Sequence, residues 1–233
     1  MESAAAEPLL ANLKTHDRER YISVLWAPKV ARGALAAIHG LDLELRRIVA
    51  EAREPMLAEI RIAWWCEQLE AMANGEAAPP QPLLQALAGA SAARGVSLAQ
   101  LAKVGDGFRP LLQDRLPDAL SLAYWRGEPL FQALAAACLG RMPTANEAES
   151  AASAGTRWAL AQLWRGGWGG PAENLLQYLD PPAFPEPGAT RLPAPLRALD
   201  ALAADDWKRM IARKPRRAPA SARRQWILLR AAL

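Results

Sequence analysis

Apolar residues recur every three or four positions through most of the chain, and no strand-length run alternates β-branched or aromatic residues with polar ones. An all-α protein is expected. Asp17, whose carboxylate can cap free amides, opens a helix that carries Tyr21 and Leu25 and is interrupted at Pro28; a second helix runs from about Pro28 to Ala52. Pro55 at a first-turn position opens a third, carrying Met56, Ile60, Trp64, Trp65 and Leu69, and Asn74-Gly75 ends it. Beyond a proline-rich link at 79–82, helices are predicted over about 82–93, 97–114, 118–140 and 146–165. Gly-Gly-Trp-Gly-Gly-Pro after Arg165, a short helix and the prolines from Pro181 to Pro195 form the main irregular region. A helix from about Pro195 to Arg213, a basic linker and the amphipathic segment RRQWILLRAAL complete the chain.

The second helix has two patterned faces. Ile38, Leu41, Leu45 and Ile48 form an apolar stripe, while His39, Asp42, Arg46 and Ala50 follow one another at spacings of three and four and share a polar face. That face lines a cavity or meets solvent, and spacing leaves both open. Asp42 stands one turn before Arg46, where opposite charges pair along a helix, so a salt bridge between them is expected.

At 233 residues the chain fits one hydrophobic core, and one domain spanning 1–233 with a basic carboxy-terminal segment at 207–233 is expected. No stretch approaches the ~18 consecutive apolar residues of a membrane span, and the amino terminus lacks the basic and apolar regions of a signal peptide. The expected location is the cytoplasm, with peripheral attachment to the inner membrane as an extension. Cys66 and Cys138 sit among apolar neighbours and predict buried thiols; His16 and His39 are too few and too far apart for a zinc motif.

Charge changes the picture at the end of the chain. Nine of the 28 Lys/Arg and none of the 24 Asp/Glu follow Asp206, so a basic tail is attached to an acidic body. Arg213, Lys214, Arg216, Arg217, Arg223 and Arg224 are candidate contacts for an anionic membrane surface, with Trp226, Ile227, Leu228 and Leu229 as an interfacial apolar run. Docking of this helix onto the protein's own body competes with that expectation. A protein partner is also allowed, and no nucleic acid is expected.

Three segments carry a family resemblance: DRERYISVLWAPKVARGALAAIHGLDLELRRIV, EPMLAEIRIAWWCEQLEAMANGE and RRQWILLRA. Together they resemble the squalene/phytoene synthase family, and within it a divergent proteobacterial branch similar to the mitochondrial complex I assembly factor of the same fold. The resemblance implies an isoprenoid synthase-type helical bundle around a central cavity. Active members hold magnesium with two aspartate-rich motifs, because that ion takes hard oxygen ligands. At the first motif this chain has Arg46, Arg47 and Ala50; at the second it has Arg165, Gly166 and Gly170, of which only Arg165 matches.

No catalytic residue is therefore assigned, and neither a metal nor a cofactor is expected. The resemblance with these replacements implies a pseudoenzyme with a binding or assembly role, respiratory complex assembly at the membrane included. His39, Asp42, Arg46, Arg47, Trp64, Trp65 and Arg165 are the candidate residues for a prenyl or lipid ligand, since guanidinium groups bind phosphate without a metal. Trp158, Trp164, Phe131 and Tyr124 are open to a packing role or a pocket role. The alternative is a prenyl diphosphate transferase of the isoprenoid biosynthetic type, in which Asp42, Glu44, Glu59 or Glu67 would hold magnesium.

Overall fold

Proline and capping side chains set where this chain leaves one helix for the next. The computed structural model describes residues 6–113, 119–167 and 192–233. Among them it has ten α-helices and two 3-10 turns, with no strand. They are α1 (Ala6–His16), α2 (Arg18–Leu25), α3 (Lys29–Ala50), α4 (Pro55–Ala73), α5 (Pro82–Arg94), α6 (Leu98–Ala102), α7 (Ala119–Leu139), α8 (Ala145–Gly166), α9 (Ala194–Ile211) and α10 (Ala222–Ala232).

Several boundaries follow from the expected chemistry. The Asp17 carboxylate accepts the Arg20 amide at 3.1 Å and caps α2. Pro55 and Pro82 occupy first-turn positions of α4 and α5. Thr144 and Glu147 form a reciprocal capping box at the start of α8. Gly167, at φ +74°, ends α8 in the left-handed conformation that a Cβ disfavours.

One expectation is corrected, and α1 is a helix that the caps did not predict. The helix over 97–114 is instead α6 followed by 3-10 turns at Lys103–Gly107 and Arg109–Leu112. Gly105 and Gly107, poor helix residues, and Pro110, a helix breaker, fall in those turns. A Cβ at Gly105 would collide with the Cys66 sulfur, so α4 packs closely on this segment.

α3 is the central element, buried without interruption from Ala34 to Leu43. It meets α1, α5 and α7, while α8 lies against α7 and α9 against α8. The α7/α8 crossing is made by Gly127 and Gly155, each facing the other's backbone carbonyl where no Cβ fits. α10 closes the outside through Leu228, which packs on Ala198 and Leu202. No helix among the described residues is long and apolar enough to cross a membrane.

Candidate functional site

In DRERYISVL the inward face of α2 carries polar groups, since Glu19, Arg20 and Ser23 are buried beside Val24 while Leu25 is exposed. Burying such groups requires partners, and two ionic clusters supply them. In the first, Asp42 of α3, 0% exposed, takes two bonds from Arg126 of α7, Nε to Oδ1 at 2.7 Å and Nη2 to Oδ2 at 2.8 Å. Arg20 Nη2 lies 2.7 Å from the same carboxylate and its Nε lies 3.0 Å from Asp17. Both Arg20 contacts are ionic rather than well-directed hydrogen bonds, because the two nitrogens meet their carboxylates off axis. Arg20 and Arg126 also lie over the Trp158 ring, at 4.7 and 5.0 Å from its centroid. Burial alone would raise the Asp42 carboxyl, but Arg126 and Arg20 hold it well below the usual carboxylate range.

This geometry corrects the pairing of Asp42 with Arg46. Asp42 points into the body, where α7 delivers Arg126, and Arg46, a turn later, faces a cleft. His39 is fully buried in the same layer, and neither ring nitrogen has a hydrogen-bond partner. Burial, with Arg20 next, pulls its pKa down to about 3, so the ring is neutral.

The second cluster ties the carboxy-terminal helix to α2 and α9. Arg224 Nη2 donates to Glu19 at 2.8 Å and its Nη1 donates to Asp206 at 2.6 Å. Arg165 Nη1 reaches the same Asp206 oxygen and the Arg217 carbonyl, both at 3.3 Å. The Ala220 amide donates to Glu19 at 3.1 Å, which seats the segment before α10 against α2.

Between the clusters lies a cleft of about 240 Å³, walled by the α1/α2 junction, α3, α7, the end of α8 and that segment. Arg18, Arg46, Arg126 and Arg165 line it, with Gln162 and Gly166. Its carboxylates are already engaged, Asp17 by Arg20 and Glu19 by Arg224. Arg46 has no ion pair or hydrogen bond among the described residues, and burial and the nearby Arg20 weaken its hold on its proton. Asp17 and Asp42 are near enough to act on it in the opposite sense, but each carboxylate is in direct contact with other arginines, so among the described residues Arg46 is a partly buried cation with no direct ion pair.

The structure thus brings together Arg46, Arg165 and Gly166 of the positions named from sequence. Arg47 points away and binds Glu44 in a fork, at 2.9 Å and 2.8 Å. Ala50 is exposed, and Gly170 lies outside the described residues. Trp65 is buried and Trp64 is 40% exposed on the outer side of α4, the two rings meeting edge to face, and neither lines the cleft. His39 and Asp42 are interior groups rather than cleft lining. Sequence reading missed Arg126. Its signal was a lone arginine inside the apolar run LSLAYWRGEPLFQALAAACL, since an arginine so placed on a buried helix needs a buried partner.

The described residues do not form a magnesium cage. Arg46 presents a guanidinium to the cleft, Arg47 is spent on Glu44, and Asp42 is saturated by two arginines. Among the described residues no three His, Cys, Asp or Glu side chains converge as ligands. Comparison with known families matches residues 13–167 to squalene/phytoene synthase. Among curated proteins none matches.

Proposed function

Since the chain belongs to the squalene/phytoene synthase family, we propose that it is a non-catalytic member that binds a phosphate-bearing ligand in the arginine-lined cleft without metal. Its role is that of a binding or assembly protein, the role implied by the resemblance to the complex I assembly factor. One observation carries the reading: Arg46 lines the cleft with Arg126 and Arg165 and makes no direct ion pair or hydrogen bond of its own among the described residues, the nearby Asp17 and Asp42 being in contact with other arginines. A guanidinium held in a partly buried site gains most from an anion with a matching pair of oxygens. Ionising an allylic diphosphate, by contrast, requires charge stabilisation by metal held on carboxylates, and the cleft's two carboxylates are neutralised by arginines of their own.

The test uses the full chain with pyrophosphate in the presence of a chelator, followed by calorimetry. Binding is expected with metal removed, and Arg46→Gln weakens it roughly tenfold or more, the loss of a hydrogen bond to a charged group. Binding that appears only with magnesium overturns the reading. So does release of pyrophosphate with a hydrocarbon product from farnesyl or geranylgeranyl diphosphate, which establishes the transferase alternative.

A further inference from the structure

The carboxy-terminal helix α10 is docked by one face and, among the described residues, unpartnered on the other. Its inner face consists of Arg224, buried between Glu19 and Asp206, and Leu228, packed on Ala198 and Leu202. Arg197 adds bonds to the last turn, donating to the Ala231 carbonyl at 3.2 Å and to the Ala232 carbonyl at 3.0 Å. The helix is therefore held at a fixed rotation about its axis. At spacings of three and four from each other, Trp226, Leu229 and Leu233 project from the opposite side. Trp226 is 44% and Leu229 47% exposed.

The charged side chains of α10 itself have one sign. Arg223 and Arg230 lie over the Trp226 ring at 4.6 and 5.2 Å from its centroid, so two guanidinium groups flank the most exposed aromatic of the helix. No acidic residue follows Asp206 in the sequence, and Asp206 itself is buried against Arg224. An apolar strip edged by cations, presented on a rigidly mounted helix, matches the boundary between anionic headgroups and acyl chains. A soluble acidic protein would satisfy the arginines but would need its own apolar groove for Trp226 and Leu229.

We propose that the outer face of α10 is an interfacial surface that seats the protein on an anionic lipid leaflet, through Trp226 and Leu229 inserted and Arg223 and Arg230 on headgroups. The folded body remains docked beneath it. Arg224 takes no part, since both of its faces are consumed by carboxylates of the body. This surface is independent of the cleft and does not depend on what the cleft binds.

The experiment is sedimentation of the full chain with vesicles of phosphatidylcholine alone and of phosphatidylcholine with phosphatidylglycerol. Binding to the anionic vesicles only is expected, weakening as salt rises. Arg223→Gln and Arg230→Gln each lower the partition about fivefold, the effect of one basic residue near such a leaflet. Trp226→Ser with Leu229→Ser abolishes it, and because all four side chains are outward, circular dichroism and melting temperature stay at the parent values. Equal binding to neutral vesicles, or a partition unchanged by these variants, overturns the proposal. Stripping of the protein from vesicles by a single-stranded oligonucleotide at equal phosphate concentration also overturns it and assigns the surface to nucleic acid.

Discussion

Replacing Asp42 with asparagine tests whether the aspartate one turn before Arg46 is a structural anchor or a metal ligand. The substitution preserves shape and removes the charge. Arg126, 1% exposed, is then left in the interior facing a neutral amide with no carboxylate among the described residues, while Arg20, also 1% exposed, keeps only Asp17. Removing one partner of a buried ion pair costs about 3–5 kcal/mol, because the remaining charge cannot be rehydrated. For a chain of this size each kcal/mol corresponds to about 2–4 °C, so the melting temperature falls by roughly 6–20 °C. Differential scanning calorimetry with and without magnesium reads the effect, and the drop should be identical in both. A melting temperature within a degree or two of the parent would refute the anchoring role. A parent protein stabilised by magnesium, with that gain lost in the variant, would refute the claim that Asp42 is not a ligand.

Two other predictions concern the interior. His39, pulled down to about 3 inside the fold, binds no proton where the unfolded chain does, so stability is complete above about pH 6.5 and is lost as pH falls toward 3. That slope is about 1.4 kcal/mol per pH unit, or roughly 2 kcal/mol between pH 6.5 and 5. Urea midpoints of the parent and His39→Leu should converge or cross over that interval, and parallel pH profiles would contradict the neutral buried ring. At the α7/α8 crossing, Gly155→Ala places a methyl group against the Gly127 carbonyl. Overpacking of about 1–3 kcal/mol outweighs the ~1 kcal/mol gained in helix propensity, and the melting temperature falls. An unchanged or higher value would show that the helices separate freely.

The periodicity, the prolines and the caps were enough to place most helices within a few residues, because those signals act locally. Pro55, Asn74-Gly75 and Asp17 work within a turn of their own positions. The segment at 97–114 leaves the α-helix where Gly105, Gly107 and Pro110 stand, which is a local signal, but its close seat on α4, with the Cys66 sulfur where a Cβ of Gly105 would lie, joins residues far apart in sequence that no local rule connects. The same limit governed the site. Arg46 and Arg165 could be named from the order of residues, but no spacing rule along α3 brings Arg126 to Asp42 across 84 positions of chain.

Sequence by itself determined that this chain is helical and where most of its helices lie; the family resemblance added an expectation, that arginine, alanine and glycine stand where the family places metal-binding carboxylates. Tertiary structure decided which charges are spent and which are free. Asp42 abandons its helical neighbour for arginines from α2 and α7, Arg224 leaves the basic tail to bind Glu19 and Asp206, and Arg46 is left facing the cleft. The reason is desolvation: inside a helical body a charge must find a partner from whatever element is packed against it, and sequence neighbours on one helix point at different surroundings.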